Sequence, residues 1–95
     1  MRKVLDQLID RIIPILHQHD VIHAAVFGSF AREQQRENSD LDILVEFGEG
    51  KSLLDLVALK LELEELLERK VDIATYNSLH PDIREAVLEE QITVI

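Results

Sequence analysis

The segment Ser39-Asp40-Leu41-Asp42-Ile43-Leu44-Val45-Glu46-Phe47 decides how this chain is read. Leu41 to Phe47 is the clearest strand in the sequence, closed by Gly48 and Gly50. Side chains alternate between the faces of a strand, so Asp40 and Asp42 share one face while Leu41 and Ile43 take the other. Two carboxylates held that close repel, and burying either alone is costly. A divalent cation resolves the conflict. Mg²⁺ takes oxygen ligands, uses one or two protein carboxylates, and fills its shell with water and substrate phosphate.

Upstream, Val21 to Phe27 is a short, apolar, partly β-branched run ending at Gly28, which predicts a buried strand. Ser29 to about Gln34 predicts one or two turns of helix, followed by a polar loop over Gln35 to Ser39. A strand that ends in glycine and passes through Ser29, the expected N-cap, into Phe30-Ala31-Arg32 aims free backbone N–H groups outward. That is an anion site, and glycine lets a phosphate approach closely. The Ser29 hydroxyl adds a hydrogen bond and Arg32 neutralises charge. Downstream, Val71 to Thr75 predicts a third strand, with Asp72 in an apolar setting. If that strand lies beside Leu41–Phe47, Asp72 becomes a third metal ligand or a general base; alone, it could simply pair with Arg69 or Lys70. A phosphate cradle facing such carboxylates suits metal-assisted phosphoryl transfer.

Helices fill the remainder. Leu5, Leu8, Ile9, Ile12 and Leu16 mark an amphipathic helix from residue 2 to about 19, with a kink or break expected at Pro14. Ser52 to Lys70 is a long helix with one apolar stripe of Leu56, Leu59, Leu63, Leu66 and Leu67 and a second of Leu54, Val57, Ala58 and Leu61. Glu62, Glu64, Glu65 and Glu68 read as its solvated face. Pro81 to Glu90 is a last short helix, and Ile92 to Ile95 a final strand. This order predicts a single α/β (α+β) domain over residues 1–95, a small mixed sheet of three or four strands packed against helices.

At 95 residues, with 19 acidic against 10 basic side chains and a net charge of −9, nonspecific binding to nucleic acid or to an anionic membrane is disfavoured. The lack of cysteine excludes disulfides, thiolate metal sites and a Cys nucleophile. No apolar run is long enough for a membrane helix, and the N-terminal residues do not form a signal peptide. A cytoplasmic protein is expected. His17 and His19 point to nearly opposite sides of a helix and so do not suit one metal; with His23 they read as surface and helix-end residues. Tyr76 reads as strand-edge packing.

Taken in order, Gly28-Ser29-Phe30-Ala31-Arg32, then Ser39-Asp40-Leu41-Asp42, then Asp72 resemble the minimal nucleotidyltransferases of the polymerase-β-like superfamily. Eleven residues separate Gly28 from Asp40, a spacing that fits. The resemblance implies that Asp40 and Asp42 bind two catalytic Mg²⁺ ions, that Asp72 completes the triad, and that Gly28 and Ser29 contact the triphosphate of ATP. It also implies a partner, a HEPN-domain ribonuclease toxin neutralised when AMP is transferred to one of its tyrosines, so that this chain is the antitoxin within a homo- or hetero-oligomer. The short chain leaves no room for a helical acceptor domain, so the acceptor is expected on another molecule. The second stripe of the long helix is a candidate docking face, burial within the chain being its alternative. One position departs from the family pattern: Glu33 stands where many relatives carry glycine after the arginine. It is expected to lengthen the short helix and to place negative charge near the phosphate path. Two other functions fit less of the pattern: an inactive module that neutralises its partner by occlusion, and transfer to a small molecule.

Overall fold

In chain order the elements are α1 (Lys3–Gln18), β1 (Val21–Phe27), β2 (Leu41–Phe47), α2 (Leu53–Leu67), β3 (Val71–Thr75), a 3₁₀ turn (Tyr76–Ser78), α3 (Pro81–Glu90) and β4 (Ile92–Thr93). The computed structural model describes residues 3–36 and 39–95. Arg2, the expected start of the first helix, and Glu37 and Asn38 of the expected loop lie outside the described residues. β2 is bordered on both sides: β1 runs antiparallel to it, pairing Phe27 with Asp42, and β3 runs parallel, pairing Asp42 with Asp72. β4 adds antiparallel to the outer side of β1, giving the order β3-β2-β1-β4. The mixed sheet expected from the sequence is therefore present, with α2 as the crossover that parallel pairing of β2 and β3 requires.

The alternation of β2 divides the interior. Leu41, Ile43 and Val45 join Ala24, Val26 and Val71 against Leu5, Leu8, Ile12 and Leu16 of α1 and Leu59, Leu63 and Leu67 of α2. Leu44 points the other way and forms a smaller cluster with Leu79 and Val87, against which Phe27, Ala74 and Tyr76 pack. Tyr76 is thus a packing residue. Asp40 and Asp42 share the parity of Leu44, so they belong to the face that α3 covers.

Local chemistry explains where the helices begin and end. α1 runs as one helix through Pro14, so the expected break into two pieces does not occur. Pro14 and Asp10 are both exposed, so water satisfies the carbonyl that loses its donor. α2 starts at Ser52, whose N–H donates to Asp55 Oδ2 at 2.7 Å. That bond holds the Asp55 carboxyl below its ordinary range. The helix stops three residues short of Lys70 because Glu68 takes a left-handed φ of 51° and its N–H closes on the Glu64 carbonyl at 2.9 Å. The Glu64 carboxylate accepts from Lys60 Nζ at 2.7 Å and from the Val71 N–H at 3.0 Å. It is a clasp between α2 and β3, where the sequence suggested only a solvated face. His19 fastens the end of α1 to α2 through Glu62, with Nε2 and Oε2 2.6 Å apart.

The two stripes of α2 part company. Leu59, Leu63 and Leu67 are buried, whereas Leu54 is 80% and Leu61 60% exposed, beside exposed Leu53 and Val57. The second stripe is not core in this chain. Full burial of one leucine side chain is worth about 1.5–3 kcal/mol, and its loss leaves a cavity besides. Leu63→Ala is therefore expected to cost about 2–5 kcal/mol in urea denaturation, and Leu54→Ala to stay within about 0.5 kcal/mol of the parent.

Candidate active site

The end of the sheet where β1 stops brings the sequence-derived residues together. Register places Asp42 beside Phe27, the residue before Gly28, on one side and beside Asp72 on the other. Gly28 has φ +74° and is packed so tightly that a Cβ built on it would overlap Asp42 Oδ2 and lie 3.0 Å from Asp42 Cγ. Glycine is required twice over: for the backbone angle and for the approach of the carboxylate.

Residues 28–33 form hydrogen-bonded turns where a short helix was expected. Arg32 N–H reaches the Gly28 carbonyl at 3.1 Å, Glu33 N–H the Phe30 carbonyl at 3.3 Å, and Gln34 N–H the Ser29 carbonyl at 2.8 Å. The last two are the paired bonds of a Schellman closure, with Glu33 at the left-handed position, φ 56°. Glu33 therefore ends the turn rather than lengthening it. It occupies the backbone conformation that glycine adopts most easily, so glycine suits this position and the glutamate holds it at a cost in backbone energy.

Phe30 is buried and anchors this turn. The Arg69 guanidinium lies over its ring, 5.1 Å from the centroid, and Nη1 donates to the Ser39 carbonyl at 3.1 Å. Arg69 thus ties the turn after Gly28 to the residue before Asp40. Lys70 Nζ stands 4.0 Å from Asp40 Oδ2. Neither cation is spent on Asp72 in these contacts.

Sequence reading missed Glu90, the last residue of α3. Its Oε1 accepts the Gly28 N–H at 3.2 Å, and both its carboxylate oxygens lie 3.1 Å from Arg32 Nη1. Two of the groups assigned to phosphate, the Gly28 N–H and Arg32, are thereby held by a carboxylate 62 and 58 residues away in sequence. No local pattern marks it; only the packing of α3 over the Leu44 face brings it in.

These groups shape the electrostatics. Burial pushes the Asp42 carboxyl up to about 6, helped by the charges of Asp72, Asp40 and Glu90 and opposed by Arg32. Among the described residues no three His, Asp or Glu side chains stand close enough to cage a metal as placed. The donors are nonetheless all carboxylate oxygens, and their mutual repulsion is what a hard cation relieves. Mg²⁺ needs only one or two of them when a phosphate completes its shell, so the residues fit such an ion.

The family profile described as polymerase beta, nucleotidyltransferase matches residues 10–95, and the chain belongs to that nucleotidyltransferase family. It is 56% identical over 91 residues to a Methanocaldococcus jannaschii protein provisionally named a protein adenylyltransferase, covering 96% of this chain and 98% of that one. A solved structure provisionally described as a minimal nucleotidyltransferase superposes with a TM-score of 0.82 at 44% identity, over 96% of this chain and 93% of that one. The fold also matches, at a TM-score of 0.74 and 18% identity, a structure described as a tri-AMPylated Shewanella oneidensis HEPN toxin in complex with MNT antitoxin; the match covers 100% of this chain and 72% of that one.

The strain in the carboxylate cluster has a measurable sign. Asp42 titrates near 3.8 when unfolded and near 6 when folded, so its contribution to stability is present below pH 4 and is lost as pH rises through 6. Without added divalent cation, Asp42→Asn should exceed the parent in urea-denaturation stability at pH 7 by about 1–2 kcal/mol, solvent screening discounted. The difference should shrink toward zero below pH 4. Gly28→Ala should instead lose about 2–5 kcal/mol, from the left-handed φ and the overlap with Asp42 together.

Proposed function

We propose that this chain transfers AMP from ATP to a tyrosine hydroxyl of a HEPN-domain toxin and thereby acts as its antitoxin in the cytoplasm. The juxtaposition of Gly28, Asp42 and Asp72 at one end of the sheet carries this reading. The naming of relatives as protein adenylyltransferases and the AMPylated toxin in the fold neighbour support it.

In this reaction the acceptor oxygen attacks the α-phosphorus of ATP, the bond from that phosphorus to the bridging oxygen breaks, and pyrophosphate leaves. Asp40, Asp42 and Asp72 would hold two Mg²⁺ ions, which when bound neutralise the triphosphate and the carboxylate cluster. The Gly28 N–H, the Ser29 hydroxyl and Arg32 hold phosphate oxygens. Asp72, exposed at the rim beside Asp42, orients the acceptor hydroxyl and takes its proton. The acceptor itself arrives on the partner, and the exposed apolar residues of α2 give the chain a surface on which such a protein can dock.

A co-expressed HEPN-domain protein incubated with this chain, α-labelled ATP and Mg²⁺ is expected to take up label on tyrosine. EDTA should abolish the labelling, and Asp42→Asn should lower it by at least about a hundredfold. Labelling that survives Asp42→Asn would overturn the catalytic assignment. Neutralisation of the toxin by an Asp40→Asn/Asp42→Asn variant that transfers no AMP would favour occlusion instead.

A further inference from the structure

Glu90 stands on the donors that a triphosphate needs. Its carboxylate takes the Gly28 N–H at 3.2 Å and faces Arg32 Nη1 with both oxygens at 3.1 Å, which is the set of contacts a phosphate oxygen pair would make. Its own surroundings do little to keep it there. It is the last residue of α3, at the negative end of the helix dipole, and the last turn of that helix carries no basic residue. It also adds to the repulsion that Asp42 already feels from Asp40 and Asp72. Among the described residues the Gly28 amide and Arg32 alone hold this side chain, which remains partly open to solvent.

From this geometry we infer that Glu90 is a built-in competitor for the phosphate cradle. Its carboxylate occupies the Gly28 and Arg32 donors in the free protein and is displaced, one anion for another, when a polyphosphate binds. Glu90 is thus a specificity and affinity determinant of the nucleotide site, acting through Arg32 and Gly28 rather than on the reacting atoms. It sets a threshold that a weakly charged anion does not cross and that a di- or triphosphate does. The inference rests on the proposed role of Gly28 and Arg32 in nucleotide binding.

Inorganic pyrophosphate is the probe, followed by the amide signal of Gly28, which is one of only three glycines. Glu90→Gln and Glu90→Ala should each tighten pyrophosphate binding about three- to tenfold, the range expected for release of a partly exposed ion pair. Glu89→Gln removes the same formal charge one residue away and should change the affinity less than twofold. Unchanged or weaker binding in both Glu90 variants would overturn the inference, weaker binding meaning that Glu90 positions Arg32 for the phosphate. AMP transfer is scored separately. Tighter pyrophosphate binding in a chain that transfers no AMP leaves Glu90 as the competitor and removes the proposed function. AMP transfer with no gain in affinity does the reverse.

Discussion

The approach of the Asp42 carboxylate to Gly28, which leaves no room there for a β-carbon, is the constraint from which the rest of the site is built. It brings the end of β1 against β2 with no space for a side chain between them. The chain must then leave β1 through a positive φ, and it turns at once into the hydrogen-bonded residues 28–34. Buried Phe30 fixes that turn from beneath, and Arg69 fixes it from the side while also holding Ser39. A single close approach thus sets the direction of the Gly28 amide and the position of the acidic pair relative to it.

The same arrangement stores unfavourable charge. Asp40, Asp42, Asp72 and Glu90 converge, with Arg32 and Lys70 as the neighbouring cations. Packing elsewhere offsets this cost: α1 and α2 cover one face of the four-stranded sheet with their leucines, and α3 packs on the other. Strain concentrated at one end and stability at the other is the usual division between a working site and the fold that supports it.

Much of this was legible because it is local. The alternation of Leu41–Phe47 assigned Asp40 and Asp42 to a common face, and the apolar run around Asp72 marked a strand with a carboxylate out of place. What escaped reading depends on distant partners or on single backbone angles. Glu90 meets Gly28 only because α3 folds back over Leu44. Glu64 is indistinguishable from its acidic neighbours until β3 arrives to donate Val71 N–H. Glu33 and Glu68 both adopt left-handed angles that their side chains do not announce, so the helix expected at Ser29 became turns and the one expected to reach Lys70 stopped early. The second stripe of α2 looked the same whether destined for the core or the surface; the packing of the first stripe on α1 and the sheet decided it.

The pairing of β2 with β3 also has a kinetic side. Parallel strands separated by a whole helix form a contact distant in sequence, which is slow to close and late to be rewarded. The register that opposes Asp42 to Asp72 is the same one that opposes Leu41 to Val71 and Ile43 to Ile73. A one-residue slip of β3 would turn Asp72 toward the core under α1 and α2 and take Val71 and Ile73 out of it. Packing the apolar face of β2 and β3 against α1 and α2 and setting Asp42 beside Asp72 are therefore selected together against a one-residue slip.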